Sequence, residues 1–395
     1  MSFVLMLITL MFSADVLWWA WAHRMLSPVR RSRRWRIVLG IFMAVQLGSL
    51  LLLLGGRMMG ERVDAMFPRV PLIGVFLWHF ILLPVAAVWM IGWGLVAGAK
   101  RLIRRPATHP EPPAPPASGM SRRELLRTAT VLAPPVATTI LTGASLAQLS
   151  DFRIRSFDLK FPSLPAELDG VRIAQVSDIH TGQFTAERLL KRIVQSTNDL
   201  RSDLILLTGD LINFSMSDLP GALDSVKRMD PHSGLYMIQG NHDLMQGRED
   251  FNDHVWRSGV PLLVNQATVV NIRGVPVQLL GLQWGPGRGD AGIEQSMDVV
   301  LPELRPDAFP ILMAHHPHAF DWAAKAGIPL TLSGHTHGGQ IMPFGVGFGP
   351  LMYRYWTGLY EKGASKLVVS NGVGNWFPLR INAPAEIVSI TLHRG

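Results

Sequence analysis

The sequence predicts an α/β sandwich domain that follows an α-helical transmembrane region. Long apolar stretches fill much of the first hundred of the 395 residues, whereas after residue 150 short apolar runs alternate with stretches of helical pattern. Such runs, bounded by Gly, Asn and Asp, are typical of buried strands that end in loops. Strands that alternate with helices favour an α/β architecture. The chain has no cysteine, so neither disulfides nor thiolate metal sites are available.

Three apolar stretches in the N-terminal region are long enough to cross a bilayer core, which needs about 20 residues. They cover residues 3–22, 37–55 and 70–97, and tryptophans lie near their ends, as is typical of interfaces. We therefore predict a transmembrane helical region of three spans over residues 1–98. Asp15 and His79 fall inside these spans, and an ionisable group there is either a functional candidate or a partner within the bundle.

The distribution of charge predicts the topology. Residues 1–128 contain sixteen Lys and Arg against five Asp and Glu, and the remainder contains 21 against 24. Most of the cationic residues lie in the first loop, between spans one and two, and in the third loop, after span three. The positive-inside rule assigns both loops to the cytoplasm. Residues 99–128 are predicted to be a basic, Pro-rich cytoplasmic linker with six prolines between 106 and 118. The expected location is the inner (plasma) membrane, in a multi-pass arrangement.

A fourth apolar stretch, predicted as a span or signal-anchor over residues 129–148, would place the C-terminal domain in the periplasm or outside the cell. The preceding segment, Ser121-Arg122-Arg123-Glu124-Leu125-Leu126-Arg127, resembles a twin-arginine export motif, which would make the twin-arginine translocase a partner. A positively flanked anchor helix without special export explains the same residues. Pro134-Pro135 weakens the span, and packing without crossing would leave the domain inside. Cleavage after Ala147 is left open.

The C-terminal domain is predicted over residues 150–395. Buried strands are expected at residues 171–176, 204–207, 235–238, 311–313 and 330–332, and helices at 185–198 and 318–326. Arg273-Gly274 predicts the turn of a hairpin within residues 269–282.

Polar residues follow each of the five predicted strands. The segments are Ser177-Asp178-Ile179-His180, Gly209-Asp210, Gly240-Asn241-His242-Asp243, Ala314-His315-His316-Pro317 and Gly334-His335-Thr336-His337-Gly338-Gly339-Gln340. Each segment taken alone could be explained as a simple turn, and this holds most of all for Gly-Asp. Five such strand ends together indicate one pocket at one edge of a sheet.

The residue types in this pocket predict a site for two metal ions. If the chain is extended there, residues i and i+2 point the same way, so Asp178 converges with His180 and His335 with His337. Carboxylate, amide and imidazole donors together suit Mn, Fe or Zn better than Ca. Two carboxylates facing two divalent cations leave a net positive centre, which favours an anionic phosphoester. Paired cations clamp phosphoryl oxygens and lower the pKa of a bridging water.

The five segments resemble the signature of the calcineurin-like metallophosphoesterases, and the Gly-His-Thr-His-Gly-Gly-Gln form is similar to that of the bacterial membrane-associated phosphodiesterase branch. The resemblance covers residues 150–395 and implies a four-layer αββα sandwich. It implies one metal held by Asp178, His180, Asp210 and His337, and a second held by Asp210, Asn241, His315 and His335, with Asp210 bridging. It also implies that His242 contacts the phosphate as a general acid, with Asp243 as an orienting group.

Three positions stay open at this point. The pattern favours His315 over His316 as the ligand, which leaves His316 as a substrate contact or a packed surface residue. Asn213 is either a loop or capping residue or a group near the metals. Arg380 is either a bidentate phosphate donor or part of an exposed structural ion pair.

The predicted function is that of a membrane-anchored, dinuclear-metal phosphoester hydrolase, a phosphodiesterase that acts on a cell-envelope or lipid-linked substrate. A nucleotide-sugar-lipid pyrophosphohydrolase on the cytoplasmic side is the alternative, and a metal-binding membrane scaffold without turnover is a third reading. The lipid bilayer is an expected partner. Nucleic acid is not, because the C-terminal domain is mildly acidic.

Overall fold

The computed structural model describes residues 2–29, 32–58, 69–103, 120–285, 290–341 and 349–395. The chain divides into two compact units, Met1–Ala144 and Ser145–Gly395. The Pro-rich linker at 106–118 and the predicted loop between the second and third spans, residues 59–68, lie outside the described residues.

The first unit is helical. Its elements are α1 (Ser2–Leu26), α2 (Ser32–Met58), α3 (Arg69–Phe76), a π-helical turn (Leu77–Leu82), α4 (Leu83–Ile103) and the larger part of α5 (Arg122–Gln148). Within the described ranges, three helical stretches are long and apolar enough to cross a membrane: Ser32–Gly55, Arg69–Ala99 and Arg122–Gln148. They coincide with the second, third and fourth predicted spans, and α1 coincides with the first.

The two ionisable residues of the predicted spans pair with each other. Asp15 on α1 lies 3.0 Å from Nε2 of His79 in the π-helical turn, and its other oxygen accepts a 2.8 Å hydrogen bond from Trp78 Nε1. Asp15 and His79 are both buried. Pairing within the bundle is the arrangement expected where a lone charge would be costly.

Helix α5 begins in the twin-arginine-like segment and continues without a break through its two prolines. Ser121 and Glu124 form a reciprocal capping box, in which each backbone N–H donates to the other's side chain. Beyond Pro134 and Pro135, Thr138 Oγ1 and Thr139 Oγ1 donate to the carbonyls of these two prolines. The last residues of α5, from Ser145 onward, belong to the second unit.

The second unit contains two mixed sheets. The first has the strand order β1 (Phe152–Phe161), β11 (Ala385–Arg394), β2 (Arg172–Val176), β3 (Leu204–Thr208) and β4 (Gly234–Ile238). The second has the order β5 (Gln266–Ile272), β6 (Val275–Gly281), β7 (Phe309–Met313), β8 (Leu330–Ser333), β10 (Ser365–Val369) and β9 (Gly358–Lys362). The pairs β2–β3, β3–β4, β6–β7, β7–β8 and β8–β10 are parallel.

The layers follow from where each apolar face is buried. One core joins the facing sides of the two sheets, with Leu206 from β3 and Leu279 from β6 among its members. The outer face of the first sheet packs against α6 (Glu187–Asp199), α7 (Leu219–Val226) and α8 (Arg248–Ser258). The outer face of the second packs against α9 (Asp290–Val300) and α10 (Phe320–Lys325), and α11 (Gly349–Met352) completes the helices described. This confirms the predicted αββα sandwich.

The predicted strands and helices are present, with bounds shifted by one or two residues. The predicted hairpin is the antiparallel pair β5–β6, whose two turn residues, Arg273 and Gly274, have φ values of 51° and 83°. Positive φ at both positions is the requirement of a two-residue turn that matches strand twist. The carboxyl ends of β2, β3, β4, β7 and β8 carry the polar segments found in the sequence.

Candidate metal centre

The backbone of the polar segments turns into the left-handed region at most of the predicted ligands. Asp178, His180, Asp210, His335 and His337 have φ values of 53°, 47°, 55°, 73° and 49°. Residues other than glycine seldom adopt this region, and such strained conformations gather at functional sites. The assumption that Asp-x-His and His-x-His lie on extended chain is therefore wrong, because each strand ends before its ligands. The side chains converge through tight loops instead.

One group of side chains joins the ends of β2 and β8. The Nε2 atom of His337 lies 3.2 Å from Asp178 Oδ1 and 3.0 Å from Nε2 of His180. His180 Nε2 is also 3.8 Å from Asp178 Oδ1. All three side chains are buried and could hold one metal ion.

A second group joins the ends of β3, β7 and β8. Asp210 Oδ2 lies 3.2 Å from His315 Nε2, and His335 completes a set of three that could hold a metal ion. The Oδ1 atom of Asn241 lies 2.8 Å from His335 Nδ1 and 3.2 Å from His315 Nε2. Asn241 therefore brings an amide oxygen to the same place.

Asp210 connects the two groups. Its Oδ2 atom is 3.6 Å from His180 Nε2 in the first group and 3.2 Å from His315 Nε2 in the second. The seven predicted ligands thus form two adjoining sets that share one carboxylate.

Two glycines leave room for this carboxylate and its partner. A Cβ atom at Gly240 would collide with Oδ1 and the backbone nitrogen of Asp210, and one at Gly209 would meet His315 Nδ1. Gly209 also has a φ of 93°, which disfavours any other residue. The Gly-Asp and Gly-Asn segments therefore contain glycine because the two loops touch at the centre.

The protonation states of the donors suit cations. Burial raises the pKa of Asp178 and of Asp210, but the charges and hydrogen bonds of His337 and His315 respectively outweigh burial and hold both pKa values well below their usual range. Burial lowers the pKa of His180 and of His337, and lowers that of His335 to about 3. Ionised carboxylates and unprotonated imidazoles are the forms that bind metals.

The pKa of His315 shifts in the opposite direction from that of the other imidazoles because of Asp210. Burial lowers its pKa, but the charge and hydrogen bond of Asp210 outweigh burial and raise the pKa to about 9. A cation between His315 and Asp210 would replace the proton that they otherwise share. The distance between the Nε2 atoms of His180 and His337 also fits, since two nitrogens bound to one cation at about 2.1 Å lie about 3 Å apart when they are adjacent ligands.

Residues behind the ligands hold them in place. His315 Nδ1 donates a 2.7 Å hydrogen bond to the Thr208 carbonyl, which leaves Nε2 for a metal. The buried Asp243 accepts hydrogen bonds from the backbone N–H groups of Asp210, Gly240 and Ile212 at 2.9, 2.9 and 3.0 Å. Burial, and then the charge of Asp210, raise the pKa of Asp243 to about 7. Asp243 therefore ties together the two loops that meet at Asp210.

His242 lies at the edge of the centre. Its Nδ1 atom donates a 2.6 Å hydrogen bond to the Asn213 carbonyl, and its ring stands edge-on to His180 with centroids 4.6 Å apart. Nε2 is therefore the atom that can exchange a proton with a bound substrate. His242 also forms a group with His180 and Asp210 in which one cation could be held, so its assignment as an acid rather than a ligand stays a prediction.

Arg380 corrects the sequence analysis, because it is neither a phosphate donor nor part of an exposed ion pair. The side chain is 1% exposed. Its guanidinium donates to Asn375 Oδ1 and to the carbonyls of Asn371, Gly372, Gly374 and Ala383, and it lies 3.2 Å from His337 Nδ1. Arg380 is thus a buried residue that links the C-terminal loop to His337.

The other open positions also have clear places. His316 lies outside the metal-capable groups and packs among the rings of Trp284, His318, His335 and Tyr353. The Nδ2 atom of Asn213 donates to the Trp376 carbonyl, and its own carbonyl accepts from His242 Nδ1. The aromatic neighbours Trp284, Tyr353 and Trp376 escaped the sequence analysis, because they come from loops that carry no metal-ligand pattern.

Comparisons with known proteins bear on this centre. The family model described as calcineurin-like phosphoesterase matches residues 171–339. The uncharacterized metallophosphoesterase YkuE of Bacillus subtilis is 30% identical over 249 residues, which cover 59% of this chain and 83% of YkuE. The chain belongs to the calcineurin-like phosphoesterase family. It is a metallophosphoesterase-family protein, consistent with a metal-dependent phosphoester hydrolase, and its His and Asp groups could bind metal ions.

Two further relatives are longer than the matched region. An uncharacterized metallophosphoesterase of Campylobacter jejuni is 31% identical over 242 residues, which cover 60% of this chain and 63% of that protein. A transmembrane protein with metallophosphoesterase domain from Danio rerio is 31% identical over 255 residues, which cover 60% of this chain and 57% of the relative. The chain therefore spans less than two thirds of the length of these two metallophosphoesterases.

Replacement of Asp210 by Asn should weaken the binding of two metal ions, whereas Asn241→Ala should weaken the binding of one. The reason is that the Asp210 carboxylate adjoins both groups and is charged, while the Asn241 amide adjoins one and is neutral. Metal titration of both variants, followed by elemental analysis, measures this difference. Loss of both metals from Asn241→Ala and of one from Asp210→Asn would contradict the sharing of Asp210.

Replacement of His242 by Ala should preserve metal content and lower turnover by roughly 10²–10⁴-fold, the usual contribution of a general acid. His242 holds its Nδ1 against a carbonyl and offers Nε2 to substrate, so its loss removes a proton donor rather than a ligand. Elemental analysis and steady-state kinetics on the same preparation test this. A variant that loses a metal would assign His242 to the ligands instead.

Proposed function

We propose that this chain is a membrane-anchored, dinuclear-metal phosphoester hydrolase, a phosphodiesterase that acts on a cell-envelope or lipid-linked substrate. The observation that supports the dinuclear site is Asp210, whose one oxygen adjoins both metal-capable groups. The donor set of carboxylate, amide and imidazole favours Mn, Fe or Zn.

The residues at the centre suggest how the reaction proceeds. Two divalent cations held there would polarise the phosphoryl oxygens and lower the pKa of a water molecule between them. The water gives one proton to solvent and its oxygen forms the new bond to phosphorus, while the bond from phosphorus to the leaving oxygen breaks with its electron pair on that oxygen. His242 gives an Nε2 proton to the leaving oxygen, while its Nδ1–H continues to donate to the Asn213 carbonyl. Solvent then restores the Nε2 proton.

The membrane part of the proposal rests on the apolar helices and on the distribution of charge. Three described helical stretches could cross a bilayer, and the Danio rerio relative is named as a transmembrane protein. Thirteen cationic residues flank the first three spans on the proposed cytoplasmic side, against three on the other. We therefore place the chain in the inner membrane as a multi-pass protein, with its catalytic domain in the periplasm or outside the cell. Export by the twin-arginine translocase belongs to the same proposal.

Two other functions make different demands on the same residues. A nucleotide-sugar-lipid pyrophosphohydrolase needs its active site on the cytoplasmic side, so it becomes the leading candidate if α5 packs without crossing. A metal-binding scaffold without turnover needs the ligands but not an acid, and the presence of His242 beside a complete ligand set counts against it.

The full-length protein in detergent, loaded with Mn²⁺, should hydrolyse bis-p-nitrophenyl phosphate. Asp210→Asn is the control, because it keeps the size of the side chain while it removes the charge between the two groups. Release of p-nitrophenol is followed by absorbance, and metal content is measured on the same sample. No hydrolysis with Mn, Fe or Zn at full occupancy would leave the scaffold as the better account.

Because the catalytic domain is proposed to lie outside the cytoplasm, protease added to spheroplasts should digest a tag fused to its C-terminus, whether the domain crosses folded or unfolded. The physical reason is the excess of Lys and Arg in the first and third loops, which keeps those loops on the cytoplasmic side. A tag that resists protease until the spheroplasts are lysed would place the catalytic domain in the cytoplasm.

A further inference from the structure

Large apolar side chains are exposed around His242. Phe214, Met245 and Trp376, which we call the His242 rim, are 54%, 47% and 38% exposed. Single exposed apolar residues are ordinary on a protein surface, but a group of them at one place marks a binding site. The rim residues come from three different loops, which the fold brings to the neighbourhood of one histidine.

Trp376 contacts the His242 ring, whereas Phe214 and Met245 lie close to His242 through the backbone. The rings of His242 and Trp376 have centroids 5.9 Å apart. Phe214 follows Asn213, whose carbonyl accepts from His242 Nδ1, and the Met245 N–H donates to the His242 carbonyl at 3.3 Å. Asn213 Nδ2 also donates to the Trp376 carbonyl at 3.2 Å, which ties two of the loops together.

The loop that carries Trp376 is also bound to the last residues of α5. Buried Ser145 Oγ donates to the Pro378 carbonyl at 3.1 Å and accepts from the Arg380 N–H at 2.9 Å. Asn375 Nδ2 donates to the Leu149 carbonyl at 2.9 Å, and the Asn382 N–H donates to Gln148 Oε1 at 3.0 Å. The end of α5 is therefore bonded to the loop that carries Trp376.

We propose that the His242 rim holds the hydrocarbon part of the leaving group of a lipid phosphodiester. This inference rests on the proposed hydrolase function and adds the part of the substrate that stands beside the acid. The proton donor must face the leaving oxygen, so the group attached to that oxygen lies against Phe214, Met245 and Trp376. A lipid alcohol supplies apolar surface there, and one of the rim residues, Trp376, lies on the loop that is bonded to the end of α5.

The orientation of the substrate determines the products. The water gives one proton to solvent as its oxygen bonds to phosphorus, the bond between phosphorus and the lipid oxygen breaks, and that oxygen takes the Nε2 proton of His242. The products are a lipid alcohol and a head-group phosphomonoester. The opposite orientation would leave the phosphate on the lipid.

The test uses full-length, Mn²⁺-loaded protein in detergent and two probes that share a head group: dihexanoyl-phosphatidylglycerol below its micellar concentration, and glycerophosphoglycerol without acyl chains. Trp376→Ala and Phe214→Ala should each lower the ratio of kcat/KM for the acylated over the deacylated probe by about tenfold, from lost apolar contact. Trp256→Ala is the matched control, since Trp256 is 48% exposed on α8 and its Nε1 atom donates to the Leu262 carbonyl. For Trp256→Ala, the ratio of kcat/KM for the acylated over the deacylated probe should equal that of the unaltered protein.

Product analysis and the control separate the outcomes. Dihexanoylglycerol together with glycerol phosphate is the expected pair of products. An unchanged ratio in both rim variants, an equal loss in Trp256→Ala, or phosphate retained on the lipid would each overturn the proposal. A preference for nucleotide leaving groups, measured with bis-p-nitrophenyl phosphate as the reference, would also overturn it. Hydrolysis of the reference diester without hydrolysis of the lipid would reject the rim proposal alone, whereas failure on both at full metal occupancy would reject the hydrolase itself.

Discussion

The carboxylate of Asp210 lies within 3.2 Å of His315 Nε2 and 3.6 Å of His180 Nε2, and the arrangement of the centre depends on that position. Burial alone would raise the pKa of Asp210, but His315 and then His180 outweigh burial and keep it below its usual range. Asp243 accepts the backbone N–H of Asp210, and the missing side chain of Gly240 leaves space for the carboxylate. A change at any of these neighbours would therefore act on both metal groups through one residue.

Much of the second unit could be predicted because its signals are local. Each buried strand is a short apolar run, and each ends in a Gly, Asn, Asp or His segment that cannot continue the strand. Parallel strands bring those ends to one edge, so the seven predicted ligands could be grouped before any distance was known. The left-handed φ values of Asp178 and His337 could not be predicted, because the i, i+2 spacing is equally consistent with extended chain.

The residues that were misread or missed act over long separations. Arg380 is 43 residues from His337 along the chain, and its guanidinium donates to four backbone carbonyls that turn toward it only in the folded loop. Trp376 adjoins His242 across more than a hundred residues. Ser145 belongs to an apolar helix by sequence, yet its hydroxyl is bonded within the second unit. A single sequence holds no local pattern for such contacts.

The most direct test of the account is anomalous diffraction from crystals of the protein soaked in Mn²⁺. The account predicts two manganese peaks about 3.5–4 Å apart, as in other two-metal sites, with Asp210 between them and His315 and His337 on opposite sides. A single peak, or a second peak bound at His316 rather than at Asp210, would contradict the shared-carboxylate centre.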